Sequence, residues 1–273
     1  MIHTEQELLW QTPFGRDPGK TGFYSSLGHQ EALARLHIMV KYRYLGVLTG
    51  EIGSGKSTMI RYFTQQLDPL QYQVVYINLS SLKPRDFYSE VLQAVGEEPT
   101  ASLTKARRLW AQTVDNRHTQ QDRVLVIVID EAQDMSDSML LELRFITNHQ
   151  MDSLALFPLI LVGQPELRRT LRLKKYEAIS QRVQLQFHLG GLTKEDAFTY
   201  IRHRMKSVAL ASPVFAESAL VLIHSATQGI PRLMNLICTQ VLYEAHLKQI
   251  DVIEENLVGR ILADMDRQRG AVV

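Results

Sequence analysis

Apolar positions along the chain fall into short, dense runs separated by amphipathic stretches and breakers. Tyr44–Thr49 is such a run; it enters a glycine-rich turn and reads as a buried strand. Lys56–Leu67 follows with helical spacing and stops at Asp68-Pro69, because proline cannot continue a helix. Val74–Asn78 predicts a second strand, with helices after it near Asp86–Val95 and Thr104–Arg117. Val124–Ile129 is an unbroken β-branched and aliphatic segment, the pattern of a strand covered on both faces. A helix near Ser138–His149, a strand near Leu156–Val162 and a short strand near Val183–Phe187 complete the series. Strands alternating with helices predict an α/β architecture, a parallel sheet flanked by helices and joined by right-handed crossovers.

The pattern changes after Gly190-Gly191. From Thr193 onward no strand-like run is visible, only helical periodicity over Thr193–Val208, Ala216–Ser225, Pro231–Leu247 and Glu254–Asp266. Thr193 with Asp196 resembles a capping box, and Pro231 suits a first helical turn. The expected organisation is an α/β domain over 1–190, with an N-terminal extension over 1–25, followed by a small all-helical domain over 191–273. The aromatic residues Trp10, Phe14, Phe23 and Tyr24 of the extension are expected to dock on the α/β domain.

Composition narrows the class. The 273 residues leave room for one large domain or two modest ones, and 45% hydrophobic with 22% charged residues excludes a disordered or collagen-like chain. A formal net charge of +1 excludes a globally basic nucleic-acid binder, though not a local basic patch. The single Cys238 excludes an internal disulfide framework and would leave a zinc site to histidine and carboxylate ligands. No apolar run reaches the ~18 residues that span a bilayer. The start MIHTEQELLW is polar and acidic, unlike a secretory signal, so a cytoplasmic location without direct membrane insertion is expected.

Two segments carry chemistry. Gly50-Glu51-Ile52-Gly53-Ser54-Gly55-Lys56-Ser57 matches G-x-x-x-x-G-K-[ST] between a strand and a helix, with Thr58 continuing the same turn. The glycines let backbone N–H groups converge on a triphosphate, and the helix N-terminus adds its positive dipole end. In this motif Lys56 reaches the β- and γ-phosphates of ATP and Ser57 binds Mg2+. The second segment is Asp130-Glu131, at the end of the buried strand Val124–Ile129, where ligands bind in open α/β sheets. Asp130 is expected to hold Mg2+ through water, and Glu131 to polarise the attacking water.

GEIGSGKS, IDEAQD, LILVGQPEL, the Gln181-Arg182 step and GIPRLMN together resemble the AAA+ ATPases of the ExeA type, within the initiator-related clade that includes transposon target-selection ATPases. The resemblance runs from Pro13-Phe14 to about Asp264. It implies a helical lid after the nucleotide domain. It also implies that Gln164 occupies the sensor-1 position, where many members carry Asn, and that Arg232 resembles sensor 2. Arg182 is implied as an arginine finger entering a neighbour's site, with Arg168, Arg169 and Arg172 nearby. His29 would pack on adenine or simply start a helix.

A trans arginine implies self-assembly into a ring or helical filament. By resemblance to transposition ATPases, the client is double-stranded DNA bound without sequence preference, with a transposase and an adaptor protein as partners. Lys83, Arg85 and Lys105 would then meet phosphates, with Thr100 and Ser102 adding hydrogen bonds. The run from Gln164 to Arg182, six cations against two acids, suggests a subunit interface, a DNA-facing surface or a solvated helix. The alternatives are an ExeA-like ATPase assisting secretion or polysaccharide export, and a regulatory module that binds ATP without hydrolysing it. ExeA-like proteins add a membrane span and a wall-binding region, and the absence of both from the sequence is read as favouring the DNA client.

Overall fold

The computed structural model describes residues 13–15, 23–148, 155–206, 214–268 and 270. These group into two compact units. One comprises His29–Ile52 and Lys56–Leu189; the other comprises Gly190 onward together with the residues up to Gly28 and the tripeptide Gly53–Gly55.

In chain order the first unit holds α1 (Leu27–Tyr42), β1 (Leu45–Gly50), α2 (Lys56–Thr64), β2 (Tyr72–Ile77), α3 (Pro84–Ala94), α4 (Leu103–Thr119) and β3 (Val124–Ile129). It continues with α5 (Asp137–Ile146), β4 (Leu159–Gly163), α6 (Pro165–Leu171), α7 (Glu177–Ser180) and β5 (Val183–Leu189). The five strands form one parallel sheet in the order β2-β3-β4-β1-β5. Burial follows that order. β1 and β4 are buried at every position, as is β3 after its first residue, whereas the edge strand β5 alternates buried or half-buried Val183, Leu185, Phe187 and Leu189 with exposed Gln184, Gln186 and His188. Central parallel strands covered on both faces need continuous apolar runs, while an edge strand does not. Gly46 in β1 is fixed by contact with α1, since a Cβ there would lie 2.2 Å from Met39 Sδ.

Helices α1, α6 and α7 receive no bounds in the sequence-based expectation, which offers a helix start at His29 and a solvated helix within Gln164–Arg182 only as alternatives. The buried stripe of α1 (His29, Ala32, Leu36, Met39, Val40) is blurred by exposed Leu27, Ile38 and Tyr42, so apolar residues fall on both faces. α2 ends at Thr64, three residues before the predicted stop, through turn hydrogen bonds from the Gln65, Gln66 and Leu67 N–H groups.

The second unit holds α8 (Lys194–Lys206), β6 (Val214–Phe215), α9 (Glu217–Thr227), α10 (Pro231–Leu247), β7 (Val252–Ile253) and α11 (Glu255–Gln268). Its core gathers Leu192, Ile201, Leu220, Ile223, Met234, Cys238, Val241, Ile253 and Val258, among others. Thr193 caps α8, its Oγ1 accepting the Asp196 N–H at 3.1 Å, and Pro231 opens α10. Two expectations are corrected. The region is not wholly helical, because β6 and β7 pair in parallel over two residues each. The second concerns the N-terminal stretch, expected on the α/β unit: among its described residues, Phe14 enters the helical core, the Gly15 carbonyl accepts from Arg204 at 2.7 Å, and Tyr24 donates to Asp196 at 2.9 Å. Trp10 lies outside the described residues.

Candidate nucleotide site

Inserting β4 between β1 and β3 brings three chain segments to one edge of the sheet. The phosphate loop follows β1, Asp130-Glu131 follows β3, and Gln164 follows β4, all at C-terminal strand ends. A cleft of about 380 Å3 lined by Arg43, Arg117, Leu156 and Phe157 lies at the opposite, N-terminal end and takes no part in this arrangement.

In the loop, Gly53 (φ 84°) and Gly55 (φ 100°) take left-handed backbone conformations that disfavour any residue with a Cβ. Gly53 is constrained twice over. An added Cβ would stand 2.6 Å from Arg232 Cβ, and the Gly53 carbonyl accepts the Arg232 N–H at 3.2 Å. Lys56 opens α2 and is 7% exposed, its Nζ donating to the Gly50 and Glu51 carbonyls at 2.7 and 3.1 Å. Two carbonyl acceptors thus satisfy an ammonium that would be costly to bury alone. Ser54 is buried, Thr58 is half-buried, and Glu51, Ile52 and Ser57 are exposed. The first N–H groups of α2 face the loop without intrahelical partners, the usual basis of anion affinity at a helix start.

Asp130 is 2% exposed and accepts three hydrogen bonds. Ser57 Oγ and Tyr76 OH donate to its Oδ2 at 3.1 and 2.5 Å, and the Glu131 N–H donates to its Oδ1 at 2.9 Å. Burial and the Asp130 carboxylate push the Tyr76 phenol well above its ordinary range, so it remains a donor at neutral pH. Ser57 and Asp130 place a hydroxyl and a carboxylate oxygen within one small cation's reach. Mg2+ is commonly held by such hard oxygen donors with substrate phosphates rather than by an all-protein cage. No cluster of three or more His, Cys, Asp or Glu suited to a metal occurs among the described residues.

Glu131 sits at φ 49°, ψ 39°, a left-handed position uncommon for a side-chain-bearing residue. Gln133 follows within a short 3-10 turn and touches two predicted site residues. Its Nε2 donates to Glu131 Oε2 at 2.9 Å, and its Oε1 accepts the Gln164 N–H at 2.9 Å. A carboxylate can only accept and an N–H can only donate, so the two partners define which end of the amide faces which. Tyr76 and Gln133 are the site residues that sequence reading passed over.

The remaining predicted residues occupy other settings. His29 is buried in the first turn of α1. Arg182 Nη1 donates to the Arg144 carbonyl at 2.6 Å, at the C-terminal end of α5, where a cation complements the helix dipole. The basic run is partly paired: Arg169 with Glu166 at 3.5 Å, and Lys175 with Asp137 at 2.6 Å. Lys175 and Tyr176 hold the Asp137 carboxyl below the usual carboxylate range. Lys83, Arg85 and Lys105 are exposed. Thr100 Oγ1 accepts from the Ser102 N–H, and Ser102 Oγ caps α4 by accepting from the Lys105 N–H, both at 3.4 Å.

The chain is similar to known proteins in sequence and in fold. Residues 38–171 match the family described as AAA domain. General secretion pathway protein A of Aeromonas hydrophila is 34% identical over 250 residues, covering 89% of this chain and 45% of that protein. The chain therefore spans less than half the length of this curated relative. Among solved structures, the Aeropyrum pernix ORC2 protein aligns with a TM-score of 0.65 at 15% identity, over 93% of this chain and 71% of its own. Cdc6p from Pyrobaculum aerophilum gives 0.65 at 17% identity, over 88% and 67%. The RuvB branch migration motor of Thermotoga maritima gives 0.54 at 16%, over 87% and 70%. At these identities the structures establish fold alone: a parallel five-stranded AAA+ P-loop fold like that of the Orc and Cdc6 proteins.

Proposed function

We propose that this chain, whose residues 38–171 match an AAA domain and which is similar to General secretion pathway protein A, is a magnesium-dependent ATPase whose nucleotide cycle serves a secretion-type system. The observation that carries the ATPase reading is the continuous network from Ser57 through Asp130 and Glu131 to Gln133 and Gln164, joining the ends of three strands. The similarity across 89% of the chain supports the client class.

In this reading Lys56 exchanges its carbonyl acceptors for phosphate oxygens, gaining charge-assisted bonds in place of neutral ones. Ser57 and Asp130 would hold the magnesium ion, which would supply neutralising charge to the phosphates. Glu131 orients a water and takes its proton. Arg232, hydrogen-bonded to the loop at Gly53, reports phosphate occupancy to α10, and Gln164 does so from β4. Arg182 acts in trans on a neighbouring copy within an ATP-dependent ring or filament, and His29 supports the adenine end.

Lys56→Ala is expected to abolish ATP binding. Glu131→Gln is expected to keep binding and lose about 100-fold or more of phosphate release, in line with removal of a general base. Phosphate release by Glu131→Gln at the unmodified rate would overturn the base assignment, and no release by the unmodified protein would favour the non-hydrolysing module. The finer DNA reading, assembly on duplex with a transposase and adaptor, gains little from the geometry. Thr100 and Ser102 engage local N–H groups, and the ORC and RuvB likenesses extend only to fold. Light scattering with ATP, in the presence and absence of arbitrary duplex DNA, separates the clients. Assembly without DNA fits the secretion reading; growth only on duplex, reversed by salt, would replace it.

A further inference from the structure

We propose that Gln133 is the positioning residue of this site, joining Gln164 to Glu131 so that the base is aimed only when the end of β4 is in place. The inference rests on the ATPase reading, with Glu131 as base. Its geometry is specific. Gln133 Nε2 grips one oxygen of the Glu131 carboxylate, leaving Oε1 as the other proton acceptor, while Gln133 Oε1 holds the Gln164 backbone N–H, each at 2.9 Å.

The seat of the amide is shaped for it. A Cβ on Gly163 would come within 2.7 Å of Gln133 Oε1 and 3.3 Å of the Gln133 backbone nitrogen, so the glycine that ends β4 clears this space. Leu167 Cδ2, 3.2 Å from the same point, closes it from α6. The 3-10 turn, held by the Asp134 N–H on the Glu131 carbonyl at 2.9 Å, aims the amide back over the strand ends. Glu131, held in a left-handed backbone conformation, therefore has its side chain referenced to β4 rather than only to its own strand. Displacement of Gln164 pulls the bridging amide and swings the carboxylate. A misplacement of ~1 Å of a reacting group can cost on the order of 100-fold in rate.

Gln133→Glu separates the two contacts, because the new carboxylate still accepts from the Gln164 N–H but cannot donate to Glu131. Gln133→Met, of similar length, loses both. For each variant, turnover, ATP affinity by equilibrium titration, and hydrogen exchange of the Gln164 amide in the nucleotide-free protein are measured. Both should lose about tenfold or more of kcat with ATP affinity unchanged. Gln164 exchange should rise about tenfold or more in Gln133→Met while staying protected in Gln133→Glu.

Wild-type kcat in Gln133→Glu, or unchanged Gln164 exchange in Gln133→Met, overturns the proposal. Equal loss of affinity and kcat also overturns it, since that marks a general structural role. If either variant fails to fold, Gly163→Ala displaces the amide without altering Gln133 and must show the same split between kcat and affinity. Glu131→Gln is run alongside. Its full activity would sink the base reading itself, whereas an inactive Glu131→Gln beside a fully active Gln133→Glu sinks only this inference.

Discussion

Asp130 shows how one buried side chain organises a site. Its carboxylate accepts from Ser57 in α2, Tyr76 in β2 and its own neighbour Glu131. Burying a carboxylate is expensive unless its oxygens are hydrogen-bonded, so these donors offset the cost of its burial. Gly53 bears a second constraint at this scale. Gly53→Ala sets a Cβ at φ 84° against the Arg232 side chain and should weaken ATP binding by about tenfold or more, read by equilibrium titration. Tyr24 bears a third: burial and its bond to Asp196 push its phenol up to about 12. A folded-state value above the unfolded one near 10 means the native form retains a proton that the unfolded chain loses. The Tyr24 contribution to stability is therefore complete below pH 10 and declines as pH rises toward 12. Denaturant melts of Tyr24→Phe should show a shallower loss over that window, and an unchanged slope would remove Tyr24 from the effect.

Among elements, the turn between α9 and α10 depends on two facing glycines. A Cβ on Gly191 would meet the Gln228 carbonyl at 2.1 Å, and one on Gly229, at φ 71°, would meet the Leu192 carbonyl at 2.1 Å. The pair lets two backbones touch, and the Leu192 N–H donates to the Gly229 carbonyl at 2.8 Å. Backbone cannot retreat as a flexible side chain can, so Gly229→Ala is expected to cost about 2–4 kcal/mol by urea denaturation. In the other unit, α3, α4 and α5 are tied by Glu142, which is 2% exposed and accepts from Arg107 Nε at 2.6 Å and Tyr88 OH at 2.9 Å. Burial and the Glu142 carboxylate raise the Tyr88 phenol far above its ordinary range. No motif signalled this tie, because its members lie on three helices and meet only once those helices pack. The blurred stripe of α1 and the brevity of α6 and α7 hid those helices for a different reason: periodicity needs length and one clean face.

For the whole molecule, the trans role of Arg182 has a direct test. Within its own chain one of its hydrogen bonds goes to the Arg144 carbonyl, a neutral acceptor. Arg182→Ala and Glu131→Gln should each be nearly inactive alone. Mixed in equal amounts they should recover about a quarter of unmodified activity, the share of head-to-tail interfaces pairing two intact halves. Absence of recovery would place the finger elsewhere in the basic segment.

The phosphate loop, the Asp130-Glu131 pair and the helix opened by Pro231 were all legible in the sequence. Each is a local device, whose residues adjoin one another and whose backbone conformation follows from glycine, proline or an apolar run. The α/β alternation was legible too, because central strands covered on both faces must be continuously apolar. Tyr76 and Gln133 belong to the tertiary structure. Tyr76 reaches Asp130 because β2 pairs with β3 in a register that sets Tyr76 against Val128, two residues before Asp130 and on the same face. Gln133 acquires its second partner because β4 lies between β1 and β3, which delivers the Gln164 N–H to it. Side-chain chemistry is written residue by residue, but strand order and register are collective outcomes of packing, and they decide which distant groups come within hydrogen-bonding distance.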